Sequence, residues 1–188
     1  SLVRSHAAGT GPEVEEEVIR ALMLLRLSTL CTGRTGVRPV VVETYAKALN
    51  AGIVPVVREY GSLGCSGDLA PLAHCALALL GEGEVRVNGE LKDAGDALAA
   101  AGIEPLQLRE KEGLALINGT DGMLGQLCLA ITDLRAAAKT ADIATAMTVE
   151  GLLGTLVVFA DDLQQLRPHP GQADAAANIL QVAEGSEI

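Results

Sequence analysis

The chain has 188 residues, enough for one sizeable core and for one domain or part of one. It is 49% hydrophobic and only 2% aromatic, with abundant Ala and Leu, which leans the composition towards helix. A net charge of −10 argues against a nucleic-acid or anionic-membrane surface, because binding phosphates takes clustered Lys and Arg.

In chain order, residues 1–11, SLVRSHAAGTG, read as an apolar, loop-like start without an initiator Met. Residues 10–31 predict a helix. Thr10 and Glu13 fit a capping box, Pro12 suits the first turn, and Glu15 to Glu17 favour the positive end of the dipole. Val14, Val18, Leu22 and Leu25 repeat at helical spacing, and Gly33 and Gly36 end the pattern. Pro39 opens a second helix to about Asn50, closed by Gly52. IVPVVREYG, residues 53–61, is an extended connector. DLAPLAHCALALLGEG, residues 68–83, predicts a short buried helix with Asp68 as its N-cap and Pro71 tolerated in the first turn. EVRVNGEL, residues 84–91, predicts a hairpin with a type I′ turn at Asn88-Gly89. A short helix ends at Gly102, and helical patterning runs from about Thr120 to Phe159 with a break near Gly151 or Gly154. RPHPGQ is a loop before a final helix from about Gln172 to Glu184. No repeat or linker divides residues 1–188, so the expectation is a single, mainly α region with a small β-hairpin.

The four cysteines, Cys31, Cys65, Cys75 and Cys128, form no CxxC pair and no Cys/His cluster at metal-ligand spacing. No metal is expected, and a reducing cytoplasm suits this usage better than a disulfide framework. No signal peptide is visible and no apolar run reaches membrane-spanning length, so no membrane partner is expected. Cys31, Cys75 and Cys128 read as small apolar residues, His74 as a satisfied core residue and His169 as a loop-ordering residue.

GSLGCSGDLAPLAH, residues 61–74, is the segment that carries chemistry. It is not GxxxxGK[ST], GxGxxG or GxSxG, and Cys65 has no visible His partner. One reading is a turn and a helix cap. A second uses Cys65, Ser66 and Gly67 together. The Gly67 amide nitrogen attacks the Cys65 carbonyl carbon, and loss of water closes a five-membered ring. Loss of water from Ser66 then leaves an exocyclic methylidene, a strong electrophile made from backbone. Gly67 has no Cβ to hinder closure, Ser66 supplies the leaving hydroxyl, and the flanking glycines permit a strained turn. A helix N-terminus just beyond would sharpen the electrophile.

This segment resembles the signature of the aromatic amino acid ammonia-lyase family, whose Ala-Ser-Gly or Cys-Ser-Gly triplet becomes 4-methylidene-imidazol-5-one (MIO). LVRSHAAGTG (2–11), KEGLALINGT (111–120) and RPHPGQ (167–172) resemble further family motifs in family order, so the resemblance covers essentially the whole chain. It implies a long-helix bundle of the ammonia-lyase (fumarase/aspartase-like) type. It also implies non-oxidative elimination of ammonia from an aromatic amino acid, with the substrate's amine or ring adding to the electrophile.

Residue by residue, the resemblance makes Cys65, Ser66 and Gly67 the MIO triplet, and Asp68 a support for the loop and its cyclisation. It makes Asn118 a neighbour of cofactor and substrate, with a helix cap as the alternative. Ser5 and His6 match the pair that selects the substrate side chain. Ser-His resembles the histidine enzymes, which implies L-histidine as substrate and trans-urocanate as product. An imidazole facing an imidazole is chemically sensible, since each neutral ring offers one donor and one acceptor. Asp121 departs from the Gln of many relatives, in NGTD against NGTQ. Family chains are more than twice as long. Their base tyrosine corresponds to a segment before Ser1, further Tyr, Arg and Glu contacts to one beyond Ile188, and their sites form between subunits of a homotetramer. Neither Tyr45 nor Tyr60 matches those motifs. The expectation is therefore an internal fragment, inactive alone. The alternatives are a tyrosine or phenylalanine ammonia-lyase, an aminomutase, or a non-catalytic helical assembly module without the cofactor.

Overall fold

A computed structural model describes residues 2–64 and 67–186. These fall into two compact units, residues 1–129 and 130–188.

The first unit opens with α1 (Leu2–His6), where the sequence predicts a loop. Its Val3 is buried and α1 packs on the later helices α4 (Leu69–Leu79) and α6 (Glu112–Ile117). Residues 10–13 also differ from expectation. Thr10–Glu13 is a strand, β1, and α2 spans Glu16–Cys31. The capping box does not form: the N-cap position is Glu15, with no side-chain cap bond. Gly11 has φ +88°, outside the helical region, and β1 pairs antiparallel with β3 (Arg58–Tyr60), where any side chain at Gly11 would meet the Tyr60 ring. Val14 N–H then donates to the Val57 carbonyl at 2.9 Å, so extended pairing continues almost to α2.

α3 (Pro39–Asn50) starts at its proline, as the sequence predicts, and Gly52 follows it with φ +68°. The connector is extended and supplies β2 (Ile53–Pro55) as well as β3. The hairpin forms as β4 (Glu84–Val87) and β5 (Glu90–Asp93), with positive φ at both Asn88 and Gly89. β2 adds to it in the order β2-β4-β5. Asp93 caps α5 (Ala94–Ala100), accepting from Gly95 N–H at 2.8 Å. The core lies between α2, α3, α4 and this sheet, through Leu22, Met23, Val41, Tyr45, Leu72, Leu79, Val85 and Leu98. Cys75 is buried there, whereas Cys31 and Cys128 are exposed rather than apolar filler.

α7 runs from Asp121 to Gly151, so the expected break near Gly151 ends it. Counted from Glu112, this stretch is long and apolar enough by length and composition to cross a membrane. The sequence reading found no such run; an apolar core helix of a helix bundle satisfies the same criterion. In the second unit α7 is followed by a 3₁₀ turn (Leu156–Phe159), α8 (Asp161–Gln164) and α9 (Pro170–Val182). α9 begins two residues before the predicted start because Pro170 is itself a favourable first helical residue, with His169 at the N-cap position. Asn178 donates to the Asp142 carboxylate at 2.8 Å.

Near its start α7 crosses α2 closely. A Cβ at Gly125 would lie 3.0 Å from Leu22 N and 3.1 Å from Val18 O, backbone atoms that cannot move aside. Gly125→Ala is expected to lower stability by about 1 kcal/mol, overpacking outweighing the helix-propensity gain of Ala. A urea midpoint above that of the parent protein would contradict this contact.

Candidate active site

Cys65 and Ser66 lie outside the described residues, so the predicted triplet is seen here through Gly67 and the residues on either side. On the near side, Gly64 takes φ +60° and its N–H donates to Ser62 Oγ at 3.2 Å. On the far side, Gly67 and Asp68 are buried, with Asp68 at 0% exposure. Ser62 donates its hydroxyl to Asp68 Oδ1, tying together the two ends of the segment that contains Cys65 and Ser66.

Asp68 stands immediately before α4 but its side chain does not cap that helix, contrary to the sequence reading. Its Oδ2 accepts the Met123 N–H at 2.9 Å instead. Met123 is in the first turn of α7, where N–H groups have no intrahelical partner and an anion meets the positive end of the dipole. The approach needs a small residue: a Cβ at Gly122 would be 3.1 Å from Asp68 Cγ. The backbone joins the same two regions, with Asp68 N–H donating to the Gly119 carbonyl at 2.7 Å. Two helix N-termini, of α4 and α7, therefore converge on the segment.

Asn118 is the C-cap residue of α6, so the cap alternative describes its place; its exposed side chain makes no hydrogen bond to another described residue. α6 is held at its other end by Glu112, 2% exposed. The Glu112 carboxylate accepts from Arg38 Nε and Nη2, both at 2.8 Å, from Arg38 N–H at 3.1 Å and from Arg109 N–H at 2.7 Å. The Arg38 guanidinium and these amides hold the Glu112 carboxyl down at about 2 despite burial.

Ser5 and His6 sit at the end of α1. His6 Nδ1 lies 2.9 Å from the Leu2 carbonyl, which can only accept, so the ring carries its proton on Nδ1. Ser5 Oγ donates to the same carbonyl at 2.8 Å and lies 3.0 Å from His6 Nδ1. When the ring is neutral, Nε2 is left as an acceptor. The segment after α1 is anchored by His74, which accepts the Gly9 N–H on Nε2 at 3.1 Å. Burial, reinforced by Arg58, pushes the His74 imidazole below its ordinary value, which suits an acceptor.

Sequence reasoning missed Arg26, Glu112 and Ser62, and noted Asp121 only as a departure. Arg26, 3% exposed, pairs with the buried Asp121 carboxylate and donates to the Ala115 carbonyl at 3.1 Å. The signal was present: Leu22, Met23, Arg26 and Leu30 share one face of α2, and a charge within an apolar stripe requires a buried partner.

The family profile for aromatic amino acid lyases matches residues 1–188, and the chain belongs to that family. It is 64% identical over its whole length to a histidine ammonia-lyase of Streptomyces coelicolor, covering 37% of that protein. A crystal structure of histidine ammonia-lyase from Trypanosoma cruzi superposes with a TM-score of 0.90 at 41% identity, over 95% of this chain and 35% of that one. Tyrosine aminomutase from Streptomyces globisporus gives 0.91 at 46% identity, over 98% and 35%. The fold is thus that of the ammonia-lyases, and the chain spans little more than a third of the length of these relatives.

The Glu112 carboxyl titrates lower in the folded protein than its ordinary 4.5, so the unfolded chain binds that proton more readily and stability rises with pH across this window. The contribution is complete above pH 4.5 and lost as pH falls towards about 2. Glu112→Gln is expected to flatten the dependence of the urea midpoint on pH in that range. An unchanged slope would show that Glu112 does not carry it.

Proposed function

We propose that, in a protein of its relatives' length, this chain supplies the electrophile-forming loop and part of the substrate pocket of a histidine ammonia-lyase. The reaction is elimination of ammonia from L-histidine: the Cα–N bond breaks, a Cβ proton leaves, and trans-urocanate forms. The observation that carries the reading is the joining of Gly67-Asp68 to Asn118-Gly119 through the Asp68 N–H bond to Gly119 O. It brings together two motifs fifty residues apart in sequence, both of which the family resemblance assigns to the site.

The described surroundings fit the methylidene-imidazolone. A Cβ at Gly67 would make only ordinary contacts, 3.8 Å to Leu69 Cγ and 3.9 Å to Gly119 O, so the backbone at the ring-closing nitrogen is packed without being crowded. Formed from Cys65, Ser66 and Gly67, that group would supply an electrophile for the substrate's amine or ring. Asp68 holds the loop end, and Asn118, next to Gly119, offers a side-chain amide that makes no hydrogen bond to another described residue. His6, with its proton on Nδ1, offers Nε2 to a substrate imidazole N–H, and Ser5 helps fix that ring. Tyr45 does not serve as the base: it is buried, and desolvation raises its phenol well above the ordinary value. The base and the remaining contacts belong to the rest of the protein. The exposed apolar residues of α7, among them Leu134, Ile143 and Met147, support a homo-oligomer, a tetramer by family analogy. The cysteine pattern supports the cytoplasm.

A second reading, tyrosine aminomutase or a related activity, is favoured by the 46% identity to the Streptomyces globisporus enzyme. A substrate panel on the full-length protein separates the two. L-Histidine is expected to give urocanate, with kcat/KM for L-phenylalanine lower by about 10⁴-fold, because a pocket built to hydrogen-bond a ring nitrogen rejects a ring without one. Ser66→Ala is expected to abolish turnover, and the 188-residue chain alone to show none. A β-amino acid product from L-tyrosine would establish the second reading; full activity of Ser66→Ala would show that turnover does not depend on the proposed electrophile, and a parent protein without turnover or the modification would leave a scaffold without the cofactor.

A further inference from the structure

Arg26 comes from α2, far in sequence from both motifs, yet its guanidinium lies against the back of the Asn118–Gly119 turn. Nη1 donates to Ala115 O near the end of α6, and Nη2 meets the Asp121 carboxylate at the start of α7. The guanidinium thus spans the turn that joins the two helices. The packing is tight: a Cβ at Gly119 would overlap Nη2. On its other flank, Gly119 presents its carbonyl to the Asp68 N–H.

The pair is a poor device for stability. Removing two charges from water costs several kcal/mol per ion, and well-packed apolar replacements of such pairs are often neutral or stabilising. This pair is also incompletely satisfied, since Arg26 Nε is buried without a hydrogen-bond partner among the described residues. The nearby Tyr45 hydroxyl, whose titration feels both charges, is unpartnered too. What the guanidinium offers that an apolar side chain lacks is a planar fork with donors at fixed angles.

We propose that Arg26 is a positioning residue: by bridging Ala115 O and Asp121 it fixes the Asn118–Gly119 turn so that Gly119 O meets the Asp68 amide. Its catalytic consequence rests on the lyase reading above; its structural consequence does not.

The test uses the full-length protein and two variants, Arg26→Lys and the double variant Arg26→Met with Asp121→Leu. Exchange of the Asp68 amide is measured relative to α4 core amides such as Ala76, beside kcat and KM for L-histidine. The double variant, with no charge left unpaired, is expected to keep the parent's thermal midpoint. Its Asp68 amide is expected to exchange roughly ten-fold faster relative to the core, the loss of about one hydrogen bond. Its kcat is expected to fall by about 100-fold, as for a displaced catalytic constellation, with a smaller change in KM. Arg26→Lys keeps the charge but not the fork and should fall between. If the double variant does not fold, Arg26→Lys decides: unchanged Asp68 exchange would overturn the proposal. Parent-like exchange and kcat in a folded double variant would overturn it as well. Failure of the parent protein to act on L-histidine would sink the lyase reading and leave the exchange result to decide this one.

Discussion

Asp68 has no exposure to solvent, and its carboxylate is shared between the Ser62 hydroxyl and the first turn of α7. A carboxylate in such a place is costly unless it is hydrogen-bonded, and here both oxygens have donors. Moving either donor would strand a buried charge. The two ends of the loop around residues 65–66 and the start of the long helix are therefore held to one another by the same group. The backbone repeats the connection through the Asp68 N–H and Gly119 O. The α4 and α7 helices both begin close to this point, and the Asp68 carboxylate accepts from the first turn of α7.

Three further polar contacts depend on this arrangement and extend it. Glu112 fixes the start of α6 to Arg38, and the other end of α6 leads to Gly119, whose carbonyl accepts the Asp68 N–H. Arg26 and Asp121 close the space behind the turn. His74, on α4, holds Gly9 and with it the chain that follows Ser5 and His6. Each pairs residues more than sixty positions apart, so the site is a property of the assembled unit and of no single segment. The glycines at 119 and 122 are part of this, because the side chains around Asp68 and Arg26 occupy the volume a Cβ would need.

How much of this is legible in the sequence follows from how local each cause is. The Asn88-Gly89 turn and the Pro39 helix start depend on neighbouring residues, and the pattern alone locates them. Thr10 and Glu13 match a capping box equally well, yet Gly11 and a strand partner near residue 60 take the segment out of the helix. Asp68 reads as the cap of the helix that follows it because its actual donor lies fifty-five residues away. The candidate site residues named by motif, from Ser5 and His6 to Gly67, Asp68 and Asn118, rest on resemblance alone. Arg26 was legible through a physical signal, a cation on the apolar face of α2, that calls for a buried partner without saying which.

Family membership gives these contacts their setting, and the chemistry proposed for them is the conversion of Cys65, Ser66 and Gly67 into an electrophile. The most direct measurement is the intact mass of the full-length protein, with peptide mapping across residues 61–74. The account predicts a peptide lighter by two water molecules, one lost in ring closure and one from Ser66. A peptide of unmodified mass, in protein whose Asp68 amide is protected as the structure requires, would contradict it.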